Sequence, residues 1–213
     1  MDYQGTEIQR FKHATIFLKN KKGLIVYIDP YLTDTRMEKA DIVICTHEHF
    51  DHYSPEDIFK ISKKETILIG PEGVCKKTKD RNAKILRVGE TIEVLGIKIT
   101  GTEMYNIDKF RLPGVPFHPK GLGIGIIVEM DGVKVYHAGD TDFIPEMKNL
   151  KVNIACLPVS GTFVMTWQEA VHAAEAIQAD LTIPIHYGDG VIGTKEDAEN
   201  FKKYYKGKTE ILK

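Results

Sequence analysis

Short apolar runs rich in β-branched residues fill much of the first fifty positions of the chain. They occur at residues 13–19, 23–30 and 40–47, and a polar Asn-Lys-Lys stretch separates the first two. The run at 40–47 is apolar nearly throughout, which is typical of a strand buried on both faces. We therefore predict three strands here, with a hairpin-like turn between the first two.

Helix starts are marked by capping residues. Ser54 precedes Pro55 and two acidic residues, a pattern that favours the N-terminus of a helix. Thr166 and Glu169 have the spacing of a capping box, which predicts a helix running to about residue 179. Further helices are predicted at 71–80 and 195–205.

The remaining pattern indicates more strands and one long irregular segment. Asp131-Gly132 lies between apolar runs at 124–130 and 133–140 and predicts a tight hairpin. Residues 105–122 show no periodicity and contain three prolines, and such a long segment is usually functional. Strands mixed with helices in this way predict an α+β domain with two sheets sandwiched between helices. The other predicted strands lie at 66–70, 84–88, 90–104 (a pair), 152–159, 181–188 and 209–213.

The composition fits a single domain spanning residues 1–213, since 42% of the residues are hydrophobic and 28% are charged. Lys and Arg total 29 against 30 Asp and Glu, so no overall positive charge attracts nucleic acid or a membrane surface. The apolar runs are too short to span a bilayer, and the N-terminal residues lack an apolar signal-peptide core. The three cysteines form no CxxC pair, so we expect a cytoplasmic protein with reduced thiols.

Residues 46–53, Thr-His-Glu-His-Phe-Asp-His-Tyr, directly follow a predicted buried strand. Imidazole and carboxylate groups suit zinc and similar divalent ions. In a tight loop, His47 and His49 can converge on one ion while Asp51 and His52 turn toward a second, because paired ions lie about 3.5–4 Å apart. The alternative is a surface loop that is merely histidine-rich, which the strand context and the four positions disfavour.

This motif, His47-x-His49-x-Asp51-His52, resembles the metal-binding signature of the metallo-β-lactamase superfamily. The resemblance covers most of the chain. It implies a four-layer αββα sandwich of two mixed β-sheets flanked by helices, with two metal ions. The length and spacing are most similar to the small metal-dependent hydrolase branch that includes ascorbate-6-phosphate lactonase-like proteins.

Three other segments extend the resemblance. Asp29 matches an aspartate that braces the histidine loop, which implies a supporting role. Asp140 matches the aspartate that bridges the two metals. His186 matches the final histidine, a ligand of the second metal.

The resemblance also implies one more histidine for the first metal. His118 is the only histidine between His52 and His137, and we assign it this role. The alternative is that His118 belongs to a mobile loop and binds metal only when the loop closes, or never. His137, the competitor, is predicted to lie behind the ligands and to orient Asp140 or another ligand.

Two weaker histidines remain. His13 matches a position that often lies near the site in the lactonase-like branch, and a plain structural role is equally open. His172 lies among alanines in a predicted helix and is not expected to bind metal.

Two such ions imply a hydrolase. Metal coordination lowers the pKa of water to about 7, so a metal-bound hydroxide can act as the nucleophile. Asp51 can bind metal and also take up a proton, which makes it the candidate catalytic acid or base. Zinc is the expected metal, although manganese, iron and nickel accept the same ligands.

Substrate contacts are expected from the irregular segment 105–122. Lys109, Arg111 and Lys120 bracket His118 there, and cations near a metal site suit an anionic small molecule. Ordinary solvated charges are an equally open interpretation. We expect a small ester, lactone or phosphodiester as substrate. The predicted substrate-binding set also includes Tyr105, Asn106 and Tyr187.

A non-catalytic metal-binding or sensing module is the competing interpretation. Metal ligation can hold a fold together, but a structural zinc site is closed by four ligands. Seven candidate ligands for two ions leave room for water. Removal of the metal would unfold such a module, whereas an enzyme would keep its fold and lose activity. The sequence leaves the oligomeric state open, with a homo-oligomer included.

Overall fold

Two β-sheets lie face to face in the computed structural model, which describes residues 1–78 and 82–212. Residues 2–85 supply the strands of the first sheet, and residues 91–185 supply those of the second. Helices pack on both outer faces. The architecture is the four-layer αββα sandwich of two mixed sheets, so the predicted fold class is confirmed.

The first sheet has seven strands that lie in chain order. The first four pair antiparallel, and the fourth to seventh pair parallel. The two central strands are buried along their whole length, as their apolar sequences indicate. The strands are β1 Asp2–Tyr3, β2 Thr6–Arg10, β3 Ile16–Lys19, β4 Ile25–Ile28, β5 Ile42–Ile44, β6 Ile67–Gly70 and β7 Lys84–Ile85.

The second sheet has six strands in the order β15-β14-β13-β12-β9-β8. Strands β13, β14 and β15 are parallel to one another, and the other pairs are antiparallel. A separate hairpin, β10 Phe110–Leu112 and β11 Val115–Pro116, interrupts the segment predicted to be irregular. The sheet is built from β8 Thr91–Val94, β9 Ile97–Thr102, β12 Gly125–Met130, β13 Val133–His137, β14 Ile154–Pro158 and β15 Leu181–Ile185.

The helices begin where the capping residues predict. Ser54 Oγ accepts from the backbone N–H of Asp57 at 3.3 Å. Thr166 N donates to Glu169 Oε2 at 2.7 Å, and Glu169 N donates to Thr166 Oγ1 at 3.2 Å, which completes the capping box. No helix within the described residues has the length and hydropathy needed to cross a membrane. The helices are α1 Pro55–Ile61, α2 Glu72–Lys77, α3 Trp167–Ile177 and α4 Lys195–Tyr204, with a 3-10 turn at Pro145–Asn149.

Three apolar clusters hold the layers together. The largest lies between the sheets, and its buried side chains include Ile16, Ile44, Ile126 and Ile183. The other two pack the outer face of each sheet against its helices. Each buried large aliphatic side chain contributes about 1.5–3 kcal/mol, so this layering dominates the stability of the fold.

The first two strands were not predicted. In β2 the buried positions are Thr6, Ile8 and Arg10, and only one of these side chains is apolar. Strand prediction relies on apolar alternation, so a strand that turns two polar side chains inward gives little signal. Tertiary pairing with β3 determines the strand instead.

Other predicted boundaries are shorter in the structure. The strand predicted at 84–88 ends at Ile85, and Val88 forms only an isolated bridge with Gly101. Helix α2 ends at Lys77, and the predicted end at residue 80 lies outside the described residues. The predicted strand 209–213 is reduced to a bridge at Thr209, with residue 213 likewise outside the described part.

The chain changes direction sharply where strands of both sheets end beside one another. His13 lies in the β2–β3 connection, Asp29 follows β4 and His186 follows β15. All three have positive φ angles, of 49°, 49° and 59° respectively. Non-glycine residues seldom adopt this conformation, which persists only where surrounding contacts fix it. The strand ends therefore deliver polar side chains to a tightly constrained region.

Candidate metal centre

The loop after β5 carries the first predicted ligands. The backbone N–H groups of His52 and Tyr53 both donate to His49 O, at 3.0 and 2.8 Å. Asp29 Oδ1 accepts from Thr46 N at 2.7 Å, and Oδ2 accepts from Thr46 Oγ1 and from His52 Nδ1, both at 2.7 Å. Asp29 is fully buried, so its carboxylate fixes the shape of this loop.

A first cluster forms where this loop meets residues of the second sheet. His49 Nδ1 lies 3.0 Å from His47 Nε2 and 3.1 Å from His118 Nε2. Asp140 Oδ2 lies 3.3 Å from His118 Nε2. Ligands held about 2.0–2.1 Å from one ion are separated from each other by roughly this distance. The four side chains therefore have the spacing of a shared cation site.

A second cluster lies beside the first and deeper in the protein. It consists of His13, Asp51, His52 and His186, whose donor atoms lie within 4.8 Å of one another. Asp51 Oδ2 is 3.3 Å from His13 Nε2, 3.7 Å from His52 Nε2 and 4.0 Å from His186 Nε2. All four residues are buried.

Asp140 lies between the two clusters. Its Oδ1 is 3.1 Å from His52 Nε2, and its Oδ2 is 3.1 Å from His186 Nε2. The same Oδ2 approaches His118 of the first cluster. One carboxylate thus faces donors of both clusters, which is the position a bridging ligand requires.

Hydrogen bonds to the other ring nitrogen orient several of these histidines. Asn106 Oδ1 accepts from His118 N at 2.8 Å and lies 2.9 Å from His118 Nδ1. Ser160 Oγ lies 2.9 Å from His186 Nδ1. The amide oxygen of Asn106 can only accept, so it places the proton of His118 on Nδ1 and leaves Nε2 free to face the cluster, while Ser160 fixes the orientation of the His186 ring.

Burial and neighbouring charges shift the pKa values of these groups. Burial and the charge of His52 hold the pKa of His47 well below its ordinary value, and burial lowers the pKa of His118 to about 4. Burial also opposes charging of His52, but Asp140 and Asp29 outweigh it and hold its pKa well above the ordinary value. His47 and His118 are thus held in the neutral form that binds metal, whereas an ion bound by His52 would displace its proton.

Several buried polar atoms in the two clusters lack hydrogen-bond partners among the described residues. They are both ring nitrogens of His13, Nε2 of His52 and Oδ1 of Asp140; the last two atoms lie 3.1 Å apart but without the angle of a hydrogen bond. Each such atom costs about 1–3 kcal/mol unless another group satisfies it. Divalent cations would satisfy them, and the mixture of imidazole and carboxylate donors suits zinc, manganese, iron or nickel. The clusters are therefore suited to a dinuclear metal site.

Comparison with known proteins agrees with this geometry. A family profile described as the β-lactamase superfamily domain matches residues 7–186. The chain belongs to the metallo-β-lactamase superfamily. A UPF0173 metal-dependent hydrolase of Methanoculleus marisnigri is 33% identical, over 93% of this chain and 88% of the relative. One from Rubrobacter xylanophilus is 30% identical, over 92% and 88%. The predicted superfamily is confirmed, and the chain belongs among its metal-dependent hydrolases.

Solved structures of the superfamily fold align over nearly the whole chain. A protein from Parabacteroides distasonis described as a metal-dependent hydrolase is 33% identical, with a TM-score of 0.85 over 97% of this chain and 92% of that one. Igni18, a metallo hydrolase from Ignicoccus hospitalis, is 21% identical with a TM-score of 0.76, over 98% and 95%. At 21% identity, the similarity to Igni18 shows only that the fold is shared.

His137 and His172 belong to neither of the two clusters. His137 Nε2 donates to Ala14 O at 2.8 Å, and its Nδ1 accepts from Gly139 N at 3.2 Å. Both ring nitrogens are thus used by the backbone, and the second bond supports the turn that leads to Asp140. His172 is exposed on α3, where it lies 3.5 Å from Glu175.

Two of the predicted cationic contacts to substrate, Lys109 and Lys120, are held in ion pairs with carboxylates, whereas the charge of Arg111 acts on His49 and, after burial, helps to lower its pKa. Lys109 Nζ lies 2.8 Å from Glu169 Oε1, and Lys120 Nζ lies 3.0 Å from Glu146 Oε1 and 3.1 Å from Glu103 Oε1. The sequence places the lysines near His118 but does not reveal carboxylates that come from distant elements.

The other side chains predicted to contact substrate form contacts within the protein. Tyr105 Oη donates to Glu146 Oε2 at 3.0 Å, and Arg111 donates to the backbone oxygen of Phe117 at 3.0 Å. The ring of Tyr187 lies 3.9 Å from the guanidinium carbon of Arg10. Asn106, described above, supports His118.

A cavity of about 460 Å³ opens above the clusters. Four candidate ligands face it, and the walls are mainly aromatic. Tyr31 and Phe50 form one edge-to-face pair with centroids 6.0 Å apart, and Phe117 and Phe163 form another at 4.7 Å. No lysine or arginine occurs among the described residues that line it. The lining consists of Tyr31, His49, Phe50, Asp51, Phe117, His118, Asp140, Phe163, Gly190 and Val191.

These wall residues were not predicted from the sequence. They come from connections far apart in the chain, and no periodic pattern links them. A usable signal exists for two of them. Phe50 lies between His49 and Asp51, and Phe117 precedes His118, so each is adjacent to a candidate ligand that faces the cavity.

Proposed function

We propose that this protein hydrolyses a small, uncharged ester or lactone that carries an aromatic or aliphatic group. One observation supports the proposal above all others. The floor of an aromatic-walled cavity is formed by candidate ligands of both clusters, namely His49, Asp51, His118 and Asp140. A substrate held by the walls would therefore lie directly against the metal centre.

The proposed ligand sets follow from the distances. Each set takes donors from both halves of the sandwich. When bound, two divalent ions supply a hydroxide nucleophile at neutral pH and polarise the bond that it attacks. His47, His49 and His118 would hold the first ion, Asp51, His52 and His186 would hold the second, and Asp140 would contact both.

Asp51 is the proposed proton acceptor. Its carboxylate faces the cavity, with Oδ2 3.3 Å from His13 Nε2. Burial raises the pKa of Asp51, but the adjacent imidazole of His13 and the charge of His52 outweigh it and leave the pKa below the ordinary value. Asp51 is thus a carboxylate at neutral pH, and its oxygen that does not face the ion would accept a proton and return it to the leaving group.

The lining of the cavity favours an uncharged substrate over the anionic one expected from the sequence. Lys109 and Lys120 are held in ion pairs outside the cavity. The two aromatic pairs offer apolar surface on facing loops. Small-molecule sites are typically cavities of about 300–1,000 Å³ with such walls and a few polar groups, and this cavity falls within that range.

Matched substrates test the proposal. We expect the zinc- or manganese-loaded protein to hydrolyse p-nitrophenyl butyrate with kcat/KM at least about tenfold above that for p-nitrophenyl hemisuccinate, since a buried unpaired charge costs more than 1.4 kcal/mol. Phe163→Ala should reduce this preference, whereas Phe59→Ala, an exposed change on α1, should not. Faster hydrolysis of the hemisuccinate, or of bis-p-nitrophenyl phosphate, would contradict the proposed substrate class.

A further inference from the structure

His13 is a buried histidine that the seven proposed ligands do not include. Its side chain is fully buried in the connection between β2 and β3, and neither ring nitrogen has a hydrogen-bond partner among the described residues. An unsatisfied buried polar group destabilises the folded protein. A ring with two such nitrogens is therefore expected to meet a bound group.

The ring faces the second cluster. His13 Nε2 lies 3.3 Å from Asp51 Oδ2. The ring centroid lies 4.0 Å from that of His186 and 6.0 Å from that of His52. His13 thus offers a donor atom within 4.8 Å of the donor atoms of the three residues already proposed to hold this ion.

The backbone of His13 is clamped in its unusual conformation. Its N–H donates to Asp189 Oδ2 at 2.7 Å, and its carbonyl oxygen accepts from Arg10 Nε at 2.9 Å and from His186 N at 3.1 Å. Strained residues of this kind persist only when the surrounding structure fixes them. The clamp also ties His13 directly to His186, another donor of the same cluster.

The two clusters differ in their access to the cavity. His49 and His118 of the first cluster both line the cavity, and His49 is only partly buried. In the second cluster only Asp51 lines it, while His13, His52 and His186 lie behind. A site closed by protein ligands retains its ion, whereas a site that faces a cavity keeps a position for water or substrate.

We propose that His13 is a further ligand of the second ion, and that it closes this site so that its ion exchanges much more slowly than the first. The inference rests on the dinuclear centre of the proposed function but not on the proposed substrate. The second ion then serves to hold the centre together, and the first ion is the one that exchanges with solution and meets the substrate.

Zinc release tests this assignment without an activity measurement. Zinc-loaded protein is mixed with an excess of the chromogenic chelator 4-(2-pyridylazo)resorcinol, and release is followed by absorbance. We expect two phases of equal amplitude. His118→Ala should remove the fast phase and keep the slow one, which assigns the slow phase to the second cluster.

Two substitutions remove the imidazole of His13 and preserve the backbone conformation at this position. Glycine and asparagine both tolerate the φ angle of 49° found at this position. We expect His13→Gly and His13→Asn to accelerate the slow phase at least about tenfold, the scale expected when a metal site loses a supporting group. His172→Ala, which removes the exposed histidine of α3, should release zinc like the wild type.

Each contrary result has a distinct meaning. A slow phase unchanged in the asparagine variant would overturn the role of His13, and this holds even where the glycine variant does not fold. Release of two zinc ions in a single phase would overturn the proposed difference between the sites. A wild-type protein that binds neither zinc nor manganese would overturn the proposed function together with this inference.

Discussion

Two of the segments that deliver ligands to the first cluster are held in different ways. The loop 46–53 is short, follows β5 directly and is braced by one buried carboxylate, Asp29. The segment 105–122 is long, contains its own hairpin and carries His118. It is tied down by side-chain contacts to residues from several other elements.

The difference shows that some ligands of one site are positioned by contacts near them in the sequence and others by contacts distant in the sequence. In the loop 46–53 the ligand positions follow from the strand that precedes them and from Asp29. In the segment 105–122, the position of His118 depends on Asn106, which is itself fixed by Asp142 at 3.1 Å. We therefore expect damage to the first support to affect the whole centre, and damage to the second to affect one ion.

The largest effect is expected from Asp29→Asn, which tests the support of the loop 46–53. Asparagine fits the backbone conformation but removes the charge that pairs with His52 Nδ1 at 2.7 Å. Breaking a buried charge pair costs about 3–5 kcal/mol, so urea unfolding should show a loss of this size and both ions should bind weakly. Asp180→Asn is the control. Asp180 precedes β15, at the end of that strand away from His186, and its substitution should change stability by less than about 1 kcal/mol.

A smaller and more selective effect is expected from Asn106→Ala. The change removes the acceptor that lies 2.9 Å from His118 Nδ1. Loss of such a partner typically lowers metal affinity about 10–100-fold, so a zinc titration should show one weakened ion and one unchanged ion. Equal weakening of both ions would mean that the two supports are not independent.

Lys109→Met tests the anchor of the segment 105–122 without touching a ligand. Lys109 is largely buried and pairs with Glu169 at 2.8 Å and with Asp142 at 3.6 Å. Removing it leaves these carboxylates without that partner, at a cost of about 1–3 kcal/mol. Limited proteolysis should cut the segment faster in the variant, with metal content retained. An unchanged cleavage rate would show that the hairpin holds the segment by itself.

Lys120→Ala should have the smallest effect. Its ammonium group is more than half exposed and pairs with two carboxylates outside the cavity. Exposed pairs contribute about 0–1 kcal/mol, and the cavity walls do not include this side chain. We expect equal, small changes in KM for neutral and anionic substrates. A selective rise in KM for the anionic one would restore the role first predicted for this lysine.

Much of the fold is predictable because local signals and tertiary packing agree. The apolar runs at β4, β5 and β14 are strands buried on both faces, and the caps at Ser54 and Thr166 begin helices. Strand β2 could not be predicted, because Arg10 and Thr6 face inward. The guanidinium of Arg10 is satisfied by His13 O and Tyr187 O, two partners that the sequence does not bring near it.

The residues of the candidate site divide in the same way into those that local sequence signals predict and those that depend on distant contacts. The motif at residues 46–53 and Asp140 could be identified because ligand type, spacing and the end of a strand coincide. The aromatic walls and the carboxylate partners of Lys109 could not, because each depends on which distant loops meet. Charge along the sequence marked a segment that carries a candidate ligand, and the anionic substrate that it suggested stays a prediction.

The division of the chain into an N-terminal sheet and a C-terminal sheet has a thermodynamic consequence. Each cluster takes donors from both sides: His47 and His49 meet His118 and Asp140, and Asp51 meets His186. An ion bound at either place opposes separation of the two halves of the molecule. By mass action each ion present at 100 times its dissociation constant adds about 2.7 kcal/mol against unfolding. The melting temperature thus becomes a readout of metal supply, independent of any substrate.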